Sequence, residues 1–243
     1  MFAIKLENIS KDFDDPNGKR VLALKDVSME ISPGEFFVIA GPSGSGKSTL
    51  LRIMSGLEKK YTGEVMVHQD HSRISFVFQQ FALLPWLTVF KNVELGLVAQ
   101  GIPKAKRKEK VMKELSEFGL ADFADSYPRE LSGGMRQRVG VARALVNDPK
   151  IVFMDEPFSE LDSFTAQGLR KDLLELWRAR HPTIVMVTHV VEDAVELADR
   201  IAVFTPQPGT IKKIVQNNLP RPRDTRSSDF YRLEDELYEL IKP

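Results

Sequence analysis

Gly41-Pro42-Ser43-Gly44-Ser45-Gly46-Lys47-Ser48-Thr49 decides the fold of this chain. The stretch fits G-x-x-x-x-G-K-[S/T], with Gly41, Gly46, Lys47 and Ser48 in the fixed places. Before it, residues 35–40 (EFFVIA) have the length and apolar texture of a buried strand. After it, Ser48 to Ser55 reads as one helix, stopped by Gly56. Strand, glycine loop and helix make a phosphate cradle. The glycines allow a tight turn and bring backbone N–H groups close to phosphate oxygens. The helix N-terminus adds partial positive charge and Lys47 a full one. The Ser48 hydroxyl can reach a Mg²⁺ bridging the outer phosphates.

The rest of the chain bounds what that phosphate is used for. Its 243 residues suffice for one large domain or two small ones. Lys plus Arg and Asp plus Glu balance at 34 each, which leaves no broad basic footprint for nucleic acid. The absence of cysteine excludes disulfides and thiol chemistry. Residues 1–10 alternate like a strand and lack the shape of a signal peptide. No apolar run reaches the roughly 18 residues needed to span a bilayer. The chain is expected to be cytosolic, and any work at a membrane would be done by docking on another protein.

Residues 4–9, 21–24, 27–31, 62–67 and 73–78 read as strands, and residues 11–18 as a turn-rich break. Phe13 falls in that break. Its ring either folds back on the sheet or serves a ligand. Residues 88–100 and 104–119 carry helical periodicity, with Thr88 as N-cap. They belong to a helical insertion at about 80–148 in an otherwise alternating α/β chain. The basic run 104–110 reads as a solvated helix face. Leu131-Ser132-Gly133-Gly134-Met135 opens a further helix, with Ser132 as N-cap and exposed amides at the two glycines. It is a second candidate phosphate contact.

Residues 150–155 form a strand with apolar residues on both faces, hence a central parallel one. Ligands sit at the carboxyl ends of such strands. Asp155 can there hold a Mg²⁺ shell, and Glu156 can polarise a water. His189 ends the next central strand, 183–188, and is a candidate for the same edge. His68, His71 and His181 have no such setting and read as structural. Residues 220–223 (PRPR) form an extended basic link, and 229–241 an acidic amphipathic helix.

Gly41–Thr49, Gln79, Leu131–Met135, Ile151–Glu156, Leu161-Asp162 and His189 resemble, in order and spacing, the Walker A, Q-loop, signature, Walker B, D-loop and H-loop of an ABC transporter ATPase subunit. The resemblance covers essentially the whole chain. Residues 83–89 and 219–224 resemble the branch that imports nitrate, sulfonates or taurine. The stretch from Glu64 to Gln79 is shorter than that branch usually has.

The resemblance implies an α/β P-loop NTPase with a RecA-like core and an antiparallel β-subdomain (1–79 and 149–220), a helical subdomain (80–148) and a tail helix (221–243). It implies ATP and Mg²⁺ as ligands. Phe13 would stack on adenine. Gly41, Pro42, Ser43, Gly44, Ser45, Gly46, Lys47, Ser48 and Thr49 would hold the phosphates. Ser48, Gln79 and Asp155 would serve the metal. Glu156 would be the catalytic base and His189 the γ-phosphate sensor, with Lys47 and Gln79 in the catalytic set. Ser132, Gly133 and Gly134 would contact the ATP held by a second copy, in a homodimer. A membrane permease would dock near Leu83, Leu84 and Trp86, within the apolar stretch 81–87, and a substrate-binding protein would act indirectly. Other importer or exporter classes, and an ABC ATPase outside transport, are the competing readings.

Overall fold

The computed structural model describes residues 2–14, 18, 20–69, 73–80 and 82–242. In chain order its elements are strands β1 (Ile4–Asp14), β2 (Arg20–Ile31) and β3 (Phe36–Ala40), helix α1 (Lys47–Met54), and strands β4 (Thr62–Val67) and β5 (Ile74–Val77). Helices α2 (Val89–Ala99), α3 (Lys104–Glu117) and α4 (Gly133–Leu145) follow, then strand β6 (Ile151–Asp155) and helix α5 (Ser163–Arg180). Strand β7 (Thr183–Thr188), helix α6 (Val191–Leu197), strands β8 (Arg200–Phe204) and β9 (Ile211–Gln216), and helix α7 (Ser228–Ile241) complete the chain. These elements fall into two compact units, Met1–Gln69 with Thr183–Pro243, and Asp70–Pro182.

In the first unit β1 lies between β2 and β4, antiparallel to both. β3 lies between β7 and β8, parallel to each, and β9 runs antiparallel beside β8. Every residue of β3 and β7 is buried. Both faces of these strands are covered, so their sequences are near-continuous apolar runs. Helices α1 and α6 pack against them. Helix α7 lies against α6 and β8, burying Phe230 and Leu237, two turns apart on one face.

Two expectations change here. Residues 11–14 continue β1, with Phe13 opposite Val21, where a turn-rich break was expected. Pairing with β2 outweighs the polar side chains of Lys11, Asp12 and Asp14; residues 15–17 of that break lie outside the described residues. Residues 21–24 and 27–31, expected as two strands, form one. It kinks at Asp26, whose φ is 47°. The Ser10 hydroxyl accepts the Asp26 N–H at 2.9 Å and donates to its carboxylate at 3.1 Å, which patches the ladder. The basic link is anchored. Arg221 pairs with Asp199 and donates to the Leu197 carbonyl, while Arg223 donates to the carbonyls of Val195 and Glu196 at 3.0 and 2.9 Å. The last carbonyls of α6 lack intrahelical partners, and cations are favoured there.

In the second unit β5 and β6 are parallel, with Val77 opposite Met154. Helix α2 packs on α3 and α4. Thr88, Ser132 and Asp162 cap α2, α4 and α5, each side-chain oxygen accepting an amide of the first turn. The Thr165 hydroxyl and these amides hold the Asp162 carboxyl below its ordinary value. His181 ends α5 in the left-handed region, its ring 6.2 Å from Trp177. In the first unit the His68 ring lies tilted against Phe2, with ring centroids 4.5 Å apart. His71 lies outside the described residues. Among the described residues no helix is long and apolar enough to cross a membrane.

Candidate nucleotide site

The phosphate loop joins β3 to α1. Gly44 and Gly46 adopt φ of 76° and 85°, values that a side chain resists. Gly46 is the N-cap of α1 and brings no side chain to its amides. The Lys47 ammonium is buried inside the loop and donates to the carbonyls of Gly41 and Pro42 at 2.9 and 2.8 Å. A loop folded around an ammonium, with a helix N-terminus beside it, is shaped for an anion. The Ser45 amide donates to Pro42 at 3.3 Å, closing the turn.

Ser45 itself is 1% exposed, and its hydroxyl has no hydrogen-bond partner among the described residues. An unpartnered buried hydroxyl costs about 1–3 kcal/mol. Ser45→Ala should therefore raise the melting temperature and leave affinity for a phosphate ligand within about twofold, because a hydroxyl with no accessible surface has no path to it. A drop in affinity of tenfold or more in a thermal-shift and titration comparison would assign the hydroxyl to the ligand.

The register of β3 and β7 sets Ala40 opposite Thr188, so Gly41 and His189 leave neighbouring strands at one edge. The Thr188 hydroxyl accepts the Val190 N–H at 3.0 Å and donates to Asp193 at 3.4 Å, fixing the turn that carries His189. Phe13 stands near the end of β1 with 43% of its surface exposed. The Lys11 ammonium lies 4.5 Å from its ring centroid, a cation–π contact. The same ammonium bonds the Lys60 carbonyl at 2.6 Å and pairs with Glu58 at 3.4 Å, which fixes its place.

The second unit gathers the other candidates. β5 and β6 end level, so Gln79 and the Asp155-Glu156 pair leave adjacent strands together. Asp155 is buried and Gln79 exposed. Glu156 has φ of 46°, a left-handed conformation costing of order 1–3 kcal/mol for a residue with a side chain. Its carbonyl accepts both the amide and the hydroxyl of Ser159, at 3.3 and 3.1 Å. Gln137 of α4 donates its amide to the Pro157 carbonyl. The helix opened by Ser132, Gly133 and Gly134 is thereby tied to the end of β6. A Cβ at Gly134 would lie 2.2 Å from the Thr165 methyl, so Gly134 lets α4 approach the start of α5.

Sequence reasoning did not single out Gln137, Thr165, Asn92 or Arg143. Asn92 is fully buried. Its amide donates to the carbonyls of Leu84, Leu87 and Thr88 at 3.0–3.1 Å, and its oxygen accepts the Leu84 N–H at 2.8 Å. Arg143 donates to the Ala82 carbonyl at 2.7 Å, and Ala82 sits at φ 45°. The available signal was an asparagine at an apolar position of α2. Trp86, held on this framed loop, is 69% exposed, while Leu83 and Leu84 are half-buried. Phe81 lies outside the described residues.

Ser48, Gln79 and Asp155 offer a hydroxyl, an amide oxygen and a carboxylate, the hard oxygen donors that suit Mg²⁺. Among the described residues no three His, Asp or Glu groups form a metal cage of their own. Mg²⁺ that arrives with substrate phosphates needs none.

A parallel strand that runs into a glycine loop closed on a lysine, at the start of a helix, defines a P-loop nucleotide-binding protein. Comparison with known proteins narrows that class. The sequence profile of the ABC transporter family matches residues 24–159. An uncharacterized ABC transporter ATP-binding protein of Methanocaldococcus jannaschii is 45% identical, over 98% of this chain and 91% of that protein. The nitrate import ATP-binding protein NrtD of Synechocystis is 42% identical, over 93% and 91%. The aliphatic sulfonates import ATP-binding protein SsuB of Bacillus cereus is 37% identical, over 98% and 96%. A dimeric structure of the ATP-binding cassette MJ0796, in a post-hydrolysis state bound to ADP and Pi, superposes with a TM-score of 0.79. It is 36% identical, and the match covers 88% of this chain and 99% of that one. The chain belongs to the ABC transporter family. It has the ABC ATPase cassette fold, binds ATP, and couples its hydrolysis to transport.

Proposed function

We propose that this chain is the ATPase subunit of an importer for a small oxyanion, nitrate or an organic sulfonate such as taurine, acting through a separate membrane permease. The observation that carries this reading is near full-length identity of 42% and 37% to a nitrate and a sulfonate import ATP-binding protein. The exposed Trp86 on its framed loop supports a permease dock there, at the cytoplasmic face of the membrane. The dimeric relative supports a homodimer with nucleotide between its copies.

Each residue then has a task. Lys47 and the loop amides bind the β- and γ-phosphates, and Phe13 stacks on the base. Ser48, Gln79 and Asp155 hold Mg²⁺, which supplies charge neutralisation to the phosphates when bound. Glu156 takes the proton of the attacking water, and His189 donates to the γ-phosphate as its charge shifts. Ser132, Gly133 and Gly134 contact the ATP of the second copy. Catalysis of this kind is positioning plus electrostatics, which donors and charges held on ordered elements supply.

Uptake of labelled nitrate and of labelled taurine, compared between a source strain and one lacking this chain, tests the reading. Loss of uptake of one anion, restored by the wild-type chain and not by Lys47→Ala, is the expected result. Unchanged uptake of both would overturn the importer assignment and leave the ATPase assignment standing.

A further inference from the structure

The phosphate loop has a rear wall, and the turn between β8 and β9 forms part of it. A Cβ on Gly41 would lie 3.0 Å from the Phe204 Cβ. One on Gly46 would lie 2.7 Å from the Ala23 carbonyl oxygen and 2.8 Å from a Leu24 methyl. The tightest approach belongs to Gly209. A Cβ there would stand 2.0 Å from the carbonyl oxygen of Ser45, inside the loop. Gly209 is not among the glycines with positive φ, so space and not backbone conformation requires it.

The turn cannot easily retreat. The Gly209 amide donates to the Ala23 carbonyl at 2.9 Å, and its carbonyl accepts the Lys25 amide at 3.0 Å. Both bonds are to β2, the strand paired with the one that carries Phe13. Gln207 adds a side-chain bond to the Leu22 carbonyl at 3.3 Å. The Thr205 hydroxyl accepts the Thr210 amide at 3.1 Å and donates to the Pro208 carbonyl at 3.2 Å, which fixes the turn internally.

We propose that residues 205–210 brace the phosphate loop from behind and that Gly209 is a positioning residue for phosphate binding. A methyl group at 209 needs the 2.0 Å gap to open past the 3.0 Å that real Cβ contacts keep, so Ser45 must move by about 1 Å. Hydrogen bonds of about 2.9 Å do not survive a stretch of that size. The amides of residues 44–47 would lose their common aim on the phosphates, while Phe13 and the base end stay as they are.

This inference rests on the phosphate-loop reading, and the test separates the two. Dissociation constants for ATP and for inorganic tripolyphosphate, which has no base, are measured by displacement of a fluorescent ADP from the full chain. Thermal melts run alongside. In Gly209→Ala both constants should rise together by about tenfold or more, the scale of a lost phosphate hydrogen bond or two. Thr205→Val loosens the turn without adding an atom near Ser45, and should raise both by a smaller factor; it is read alone where Gly209→Ala does not fold. A folded Gly209→Ala with unchanged constants overturns the proposal. So does a rise for ATP without a rise for tripolyphosphate, because the effect would then lie at the base. So do unchanged constants in Thr205→Val where it must be read alone. Tripolyphosphate that fails to displace ADP from the wild-type chain defeats the phosphate-loop reading itself.

Discussion

Glu156→Gln should lower ATP hydrolysis by about 10²–10⁴-fold, the usual contribution of a general base, and keep ATP affinity within about threefold. The substitution removes a charge and a proton acceptor and preserves the shape. It also preserves the backbone. Glu156 is held at φ 46° by the bonds of its carbonyl to Ser159 and by the Gln137 bond to Pro157, none of which uses its side chain. The left-handed conformation is thus imposed by the frame, and glutamine bears it as glutamate does. The second expected effect is on assembly. On the proposed reading Ser132, Gly133 and Gly134 reach the nucleotide of the other copy, so ATP that is bound and not hydrolysed should hold two chains together. Sedimentation of the variant with saturating Mg-ATP should show a dimer that the wild type forms only transiently. A variant that stays monomeric with ATP bound would falsify the shared-site reading.

The legible parts of the fold were those whose physics is local. β3, β6 and β7 are near-continuous apolar runs because both their faces are covered, and each ends where a candidate residue stands. Thr88 and Ser132 read as caps because a short side-chain oxygen before a periodic run has one good use. What depended on a distant partner was not legible. Nothing near Phe13 says that Lys11, Asp12 and Asp14 continue a strand, since the reason is their pairing with residues 20–24. Nothing in residues 220–223 says which carbonyls Arg221 and Arg223 will find. Gly209 reads as an ordinary turn glycine, and its closeness to Ser45 emerges only when residues 164 positions apart meet. The candidate residues were legible as motifs, and the contacts around them were not.

Trp86→Ala should abolish uptake while leaving the isolated subunit folded and active. In sequence the apolar stretch 81–87 could equally be core. With Trp86 69% exposed, the core reading loses its ground for that side chain. The loop is nonetheless rigidly built. Pro85 follows the residue that Asn92 grips from both sides, and the Leu87 amide closes a turn onto the Leu84 carbonyl at 3.1 Å. Such a loop presents its indole at no further cost in chain entropy, which is the condition under which a tryptophan becomes a dominant contact. Truncation should therefore weaken assembly with the permease by about 2 kcal/mol or more, roughly thirtyfold. Stability should move by no more than about 0.5 kcal/mol, as for other exposed positions, and basal ATPase activity by less than about twofold. Gln79 lies at the other end of this segment, at the close of β5, so nucleotide state and dock position can bias one another by about 1–3 kcal/mol. The measurements are thermal melts, basal hydrolysis, co-purification with the permease, and anion uptake. A folded Trp86→Ala subunit that co-purifies and transports like the wild type would remove this loop from the interface. A variant that unfolds would return the indole to the core.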